Sequence, residues 1–380
     1  MNPEPAHATP DSRALPEPLA FVDGGRVASP ADWPRRRTEI LELFRSHVYG
    51  RAPVGRPADL SFKITEAREA FSGSALRREL EVRYGGPGGE GAFPVTLFQP
   101  KGRAPLGCFV LIVNRSKRII TAAESGPDDF WPVETILSRG YATAAFHHGD
   151  VAADDAARAF ETGVFRVFGP ASDARAPDSW GAVAAWAWGA SRVLDFLETD
   201  PVLGPVPFVV VGHSRGGKSA LWCGAQDERV ALCISNNSGS TGAALARATR
   251  GESVGRITGA FPHWFAPAYR EHAADPRTLP VDQHLLLGLI APRAVYVASA
   301  SEDSHADPRA EFAAAHAAAE IFRYLGKRGV EPDDFPAPGE SRAGGDIGYH
   351  LRPGRHDLQA YDWDRFLDFA DLRLARPTSR

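Results

Sequence analysis

The sequence predicts an α/β fold in which a mostly parallel central sheet is covered by helices on both faces. Three observations carry this. Residues 108–113, 207–211 and 294–300 are apolar without alternation, as strands buried on both faces are. From residue 108 onward such runs alternate with helical patterns, the order that builds a parallel sheet. Ahead of them, strands over 60–64, 76–84 and 93–99 come without helices between. The last two are joined by Gly85-Gly86-Pro87-Gly88-Gly89, a hairpin turn.

The other elements follow in order. Residues 31–49 read as a helix, with Trp33, Ile40, Leu41, Leu43 and Phe44 at helical spacing. A helix over 130–139 leads to a strand over 141–146. A strong helix covers 180–198, with Pro177-Asp178-Ser179 as its start signal. Strands follow at 231–235 and 294–300, a helix at 310–325, a short strand at 348–352 and a final helix at 363–374. Antiparallel strands first and alternating units afterwards is the order of an α/β hydrolase. Residues 1–17, rich in Pro, Ala and charge, are expected to be disordered. Residues 18–380 are expected to form one domain. The long connection 150–176 carries Phe160, Phe165 and Phe168 and predicts an insertion over the active site.

Composition excludes several classes. Hydrophobic residues make up 43% and charged residues 24%, an ordinary balance for a globular protein. A net charge of −4 gives no nucleic-acid footprint. No segment approaches the ~18 to 20 apolar residues of a membrane span. Cys108, Cys223 and Cys233 each lie in an apolar stretch and read as buried thiols. No metal-ligand spacing occurs, and no cofactor is expected. No apolar signal core precedes residue 17, so the expectation is a cytoplasmic protein or an exported one whose signal has been removed.

The chemistry centres on Gly212-His213-Ser214-Arg215-Gly216, a G-x-S-x-G motif directly after the 207–211 strand and before a helical run. A serine there sits at the tip of a sharp turn, its hydroxyl exposed to a base and the next backbone N–H facing the same spot. The motif alone arises by chance in a chain with 37 glycines; the flanking strand and helix make it specific. A serine hydroxyl needs a base, and the base needs an orienting carboxylate. In this fold the chain order is Ser, acid, His. Behind the 294–300 strand stand Glu302, Asp303 and Asp307. Asp303, three residues past the strand, is the favoured acid; Asp307 precedes Pro308 and could equally cap the next helix. One strand earlier, Asn236-Asn237-Ser238-Gly239 offers no carboxylate. His356, on a loop beyond the last strand, is the favoured base. His350 lies within that strand and reads as structural.

Gly212-His213-Ser214-Arg215-Gly216-Gly217-Lys218 resembles the glucuronoyl esterases, carbohydrate esterase family 15, whose motif is G-C-S-R-x-G-K. The resemblance extends through Val48-Tyr49-Gly50-Arg51, the Trp180–Gly189 stretch, Asn236-Asn237-Ser238-Gly239, Phe261-Pro262-His263-Trp264-Phe265, 279–284, 289–293 and Ser301-Glu302-Asp303. It implies cleavage of the ester between (4-O-methyl-)glucuronic acid on xylan and a lignin alcohol. It implies Ser214 as nucleophile, His356 as base, Arg215 at the oxyanion, and Lys218 and Glu252 on sugar hydroxyls. In one branch the acid lies where Asn237 stands; in a bacterial branch it lies where Asp303 stands, and this chain resembles the second. Physical reasoning agrees on two points. A fixed cation suits an oxyanion, and Lys218, four residues past Ser214, falls on the same helical face.

The chain departs from the family pattern twice. His213 stands where the family usually has Cys, and His305 stands where a sugar-packing Trp is common. Trp180, Trp186, Trp188 and Trp222 read as core, whereas Trp264, in a loop-like segment, reads as a cleft residue. The expected substrate is a small-molecule or oligosaccharide ester, and the expected state a monomer without nucleic-acid or membrane partners. The alternatives are an acetyl or other carbohydrate esterase of the same fold, and an inactive sugar-binding relative.

Overall fold

The computed structural model of the protein describes residues 15–126, 128–169, 175–248 and 250–374. Its centre is a ten-stranded sheet in the order β1-β2-β3-β5-β4-β6-β7-β8-β10-β9. The strands are β1 (Ser61–Ala70), β2 (Ala75–Gly86), β3 (Gly89–Pro100), β4 (Cys108–Val113), β5 (Ala142–His147), β6 (Phe208–His213), β7 (Val230–Asn236), β8 (Ala294–Ala300), β9 (Ser341–Arg342) and β10 (Ile347–Arg352). The run from β5 through β4, β6, β7 and β8 to β10 is parallel. The antiparallel β1-β2-β3 unit closes one edge and the short β9 the other. This is the expected mostly parallel α/β-hydrolase sheet.

The unbroken apolar runs are explained by burial on both faces. Along β4, Cys108, Val110 and Ile112 enter one core while Phe109, Leu111 and Val113 enter the other. Strand β6 divides in the same way, with Val210 on one side and Val209 and Val211 on the other. The helices Trp33–His47, Ala182–Thr199, Arg215–Gln226 and Pro308–Tyr324 contribute to the first core, and Val133–Ser138 and Ala360–Leu374 to the second.

Several boundaries differ from the sequence reading, each for a local reason. Strand β1 runs six residues past the predicted end, because this edge strand is almost wholly exposed and carries charges where a buried strand would carry apolar residues. Residues 177–179 do not start the long helix. Residues 177 and 178 form a turn closed by the Ser179 N–H on the Ala176 carbonyl (2.9 Å). The Arg51 N–H donates to the Asp178 carbonyl (2.8 Å) and the Gly181 N–H to the Tyr49 carbonyl (3.0 Å), so the helix begins at Ala182. The helix predicted over 130–139 shortens to Val133–Ser138, because Asp128 accepts the N–H groups of Phe130 (2.8 Å) and Trp131 (3.2 Å) in a turn ahead of Pro132. Of the N-terminal segment expected to be disordered, 1–14 lie outside the described residues. Residues 15–17 are held instead: Leu15 packs on the core, the Pro16 carbonyl accepts from His284, and the Glu17 carbonyl from Arg36.

Connection 150–176, of which 170–174 lie outside the described residues, folds back over the sheet with the short helix Gly163–Phe168. Phe165 packs on Trp180 and Phe168 on Tyr84. Trp186 anchors the start of this connection: its indole N–H donates to the Ala152 carbonyl (2.9 Å), and its ring meets His148 edge-on at 4.6 Å. Trp186→Phe keeps much of the apolar volume but strips that carbonyl of its donor. It should destabilise the protein by about 1–3 kcal/mol, read as a lower urea midpoint at unchanged m-value; an unchanged midpoint would show that the anchor is unimportant.

Candidate active site

Ligands of parallel α/β sheets bind beyond the carboxyl ends of the strands, and the candidate residues gather at that edge. Ser214 follows β6, Asn237 follows β7, Asp303 lies three residues past β8 and His356 four past β10. Asp154 follows β5 by seven residues. The sheet order thus sets in one row residues that are far apart in the chain.

Ser214 occupies φ 54°, ψ −123°, a backbone region few non-glycine residues adopt. The flanking glycines permit it. A Cβ on Gly212 would lie 2.1 Å from the Gly216 carbonyl oxygen, and one on Gly216 2.9 Å from the Ile112 carbonyl oxygen. The Ser214 N–H donates to the Asn236 carbonyl (2.8 Å), locking the turn to the neighbouring strand. Ser214 is also the N-terminal cap position of the helix Arg215–Gln226, whose first N–H groups have no intrahelical acceptor.

His356 Nδ1 is 2.5 Å from Asp303 Oδ2, a charge-assisted hydrogen bond. The same carboxylate oxygen accepts from Asn237 Nδ2 (2.9 Å), and Oδ1 accepts from the Ala306 N–H (3.1 Å). Burial alone would raise the Asp303 pKa. The hydrogen bond and charge of His356, together with the Asn237 and Ala306 donors, outweigh it and hold the carboxyl below its ordinary range. The His356 ring also packs on that of His213, with centroids 4.5 Å apart. His213 is fully buried, and burial, with His356 nearby, lowers its pKa to about 3. It is therefore a neutral wall, tied through Nδ1 to Asn236 Oδ1 (2.6 Å). All three cysteines are buried free thiols, as expected.

The competing residues have other duties. His350 is enclosed, bonded to Asp362 Oδ1 (2.7 Å) and Tyr296 Oη (3.1 Å). Asp307 caps the helix Pro308–Tyr324 by accepting from the Ala310 N–H (3.1 Å). Glu302 is exposed beside Arg355.

Arg215 reaches from the other side. Its guanidinium lies 5.1 Å from the centre of the Trp264 ring and is bonded to Asp154 Oδ2. Asp154 is a hub. It also accepts from Trp264 Nε1 (2.7 Å) and His263 Nε2 (2.9 Å), and lies 3.3 Å from His148 Nε2. Burial opposes its charge, but these donors and the Arg215 charge hold its carboxyl far below the usual range. Trp264 itself is buried and stacks on Phe261 at 3.9 Å. It backs Arg215 rather than presenting a broad face to the cleft.

Lys218 is also buried. Its ammonium donates to the Ser240 carbonyl (2.6 Å) and the Ser238 carbonyl, and burial lowers its pKa to about 8. Two of its three protons are thus committed to the loop after β7. Glu311, on the helix Pro308–Tyr324, seals that loop from below. Its carboxyl accepts from the Gly239 N–H (2.9 Å) and from Ser299 Oγ (2.6 Å). Glu252 lies at the rim, 3.4 Å from the exposed His305.

Sequence reasoning missed Asp154, Asn237 and Glu311. Asp154 falls in a connection with no strand end to index it. Asn237 was passed over because it lacks a carboxylate, whereas its amide serves the carboxylate of another strand. Glu311 reads as an ordinary first-turn acid.

Burial pushes the Glu311 carboxyl up to about 8. The folded state therefore holds a proton that the unfolded chain has lost above pH ~4.3. Stability should fall as pH rises between these two values. Glu311→Gln removes this slope, so its melting temperature relative to wild type should climb from pH 5 to pH 8.5. A constant difference would refute the buried proton.

Comparisons with known proteins identify the family. A family model described as "Glucuronyl esterase, fungi" matches residues 119–326. Carbohydrate esterase MZ0003, from an unknown prokaryotic organism, is 36% identical over 394 residues, covering 95% of this chain and 89% of that protein. The 4-O-methyl-glucuronoyl methylesterase of Podospora anserina is 32% identical over 76% of this chain and 56% of its own. Among solved structures, a glucuronoyl esterase from Solibacter usitatus superposes with a TM-score of 0.88 at 32% identity, covering 98% of this chain and 99% of that one. A CE15 esterase from a marine bacterial metagenome, described as promiscuous, gives 0.85 at 34% identity, covering 94% and 96%. The chain belongs to the glucuronoyl esterase family, carboxylic ester hydrolases built on the α/β-hydrolase fold.

Proposed function

We propose that this protein hydrolyses the ester of a (4-O-methyl-)glucuronic acid, the uronate carried on xylan and the alcohol derived from lignin. The observation that carries the reading is the Asp303–His356 pair lying at the same sheet edge as the Ser214 turn. The name of the Podospora relative supplies the sugar, and Glu252 with the remaining proton of Lys218 supplies polar partners for it.

The reaction follows from the roles these groups suit. Ser214 Oγ attacks the carboxyl carbon of the uronate while His356 Nε2 takes its proton. Asp303, held ionised, orients the ring and stabilises the imidazolium. The carbonyl oxygen becomes an oxyanion facing the Arg215 N–H and guanidinium, where fixed donors are most effective. Collapse expels the alcohol, which receives the proton from His356 and leaves a glucuronoyl ester on Ser214. Water then repeats the sequence and frees the acid. Asp154 holds Arg215 ready, so little reorganisation is needed at that moment.

Two experiments test this. Wild type should turn over benzyl glucuronate with higher kcat/KM than p-nitrophenyl acetate, and Ser214→Ala should lose ~10⁶-fold in kcat on both. Preference for the acetate would favour the acetyl esterase alternative, and residual activity in pure Ser214→Ala would remove Ser214 from the mechanism. Asp154→Asn should lower kcat by about 10- to 100-fold, the scale of a lost outer partner of a reacting group, with KM little changed. In an Arg215→Ala background the same substitution should cost little more. Full additivity would mean that Asp154 supports the fold and not Arg215.

A further inference from the structure

Beyond the Glu252–His305 pair, away from Ser214, the surface opens into a groove of about 960 Å³. The two segments at its head are bound together, the Glu252 N–H donating to the His305 carbonyl (3.0 Å). His305 and Gly251, next to Glu252, line this groove, so it adjoins the proposed sugar contacts. Arg256 and Arg309 project from its sides, both exposed. Among the described residues neither is paired with a carboxylate, although most arginines near the site are. The acid within the groove, Asp307, is spent on capping a helix.

Ser301, Ser304 and Arg250 also line the groove, and one stretch of its wall is apolar and firmly backed. Phe335 lies under the Arg309 guanidinium (4.5 Å) and packs on Phe312 (5.4 Å) and Tyr349 (6.3 Å). Pro336 beside it is buried, and Pro338 continues the wall. In a protein of net charge −4, this is a local positive field over an apolar shelf.

We propose that this groove binds a second, carboxylate-bearing stretch of the sugar chain whose ester is cleaved at Ser214, an inference that rests on the proposed uronate-ester reading. Two chemical features select that occupant. A guanidinium matches a carboxylate with two parallel hydrogen bonds, so two unpaired guanidiniums suit a uronate and gain little from a neutral sugar. The apolar faces of pyranose rings lose water against the Phe335 and proline surface. The groove would thus favour an acidic polysaccharide over a small ester.

The test separates binding from catalysis. Full-length Ser214→Ala protein is run in native gels containing an acidic glucuronoxylan or a neutral arabinoxylan. Retardation by the acidic polymer should exceed that by the neutral one, fade with added salt, and disappear in the Ser214→Ala/Arg256→Gln/Arg309→Gln variant. With Ser214 intact, Arg256→Gln/Arg309→Gln should raise KM about five- to tenfold on a polymeric uronate ester, the scale of two exposed charge contacts, while benzyl glucuronate kinetics and melting temperature stay unchanged. Equal retardation by both polymers, no retardation by either, or retardation that survives loss of both arginines overturns the proposal. A parallel loss on benzyl glucuronate overturns it too, since the arginines would then serve the ester site. If wild type fails to cleave benzyl glucuronate, the uronate-ester reading falls, and the gels still judge the groove.

Discussion

The site depends on one buried cation. Lys218 sits one helical turn below Ser214 with its ammonium on the carbonyls of Ser238 and Ser240. A buried ammonium is costly unless it is hydrogen-bonded and faces negative charge. Here Glu252 lies close enough to oppose the lowering of its pKa by burial. The bonds fix the backbone that follows β7. That backbone carries Asn237, whose amide holds Asp303, whose carboxylate holds His356. The family resemblance implied a lysine on the sugar. The structure gives it a part in the scaffold, joining the helix after Ser214 to the loop that carries Asn237.

The opposite side of the cleft is organised by a buried anion. Asp154 gathers donors from three segments: His148 at the end of β5, Arg215 after β6, and His263 with Trp264 from the loop before residue 266. Removing one member of such a network leaves the others unpaired in a medium of low dielectric, so the parts stand or fall together. The two networks meet at Ser214 from opposite sides. In the proposed reaction, one network holds the base His356 and the other holds Arg215, which faces the oxyanion.

The departures from the family pattern acquire physical sense. His213, where a cysteine is usual, forms no cross-link; its neutral ring fills the space against His356. His305, where a tryptophan is common, is exposed and paired loosely with Glu252, and so leaves the rim open towards the arginine-lined groove. Asn237, where one branch has its acid, keeps a polar role by donating to the acid on the next strand. The loop after β7 and the loop after β8 are adjacent because those strands pair, which is why an acid on either can reach the same histidine.

The sequence by itself determined the sheet and placed the candidate residues along it. Two-sided burial writes itself as unbroken apolar runs, so β4, β6 and β8 were legible, and an elbow serine, a following acid and a final histidine could be read from their order along those strands. The β1 extension was not legible, because an exposed edge strand carries no apolar period. Nor was the start of the helix at Ala182, because the residues that resemble a cap pair with 49–51 instead. Tertiary structure alone decided how Lys218, Asp154, Asn237 and Glu311 are used. Each acts on a partner from a distant segment, and a hydrogen bond between such segments leaves no spacing in the chain. The charge states of Lys218, Asp154 and Glu311 also follow from burial and neighbours, which exist only once the sheet has brought the strand ends together.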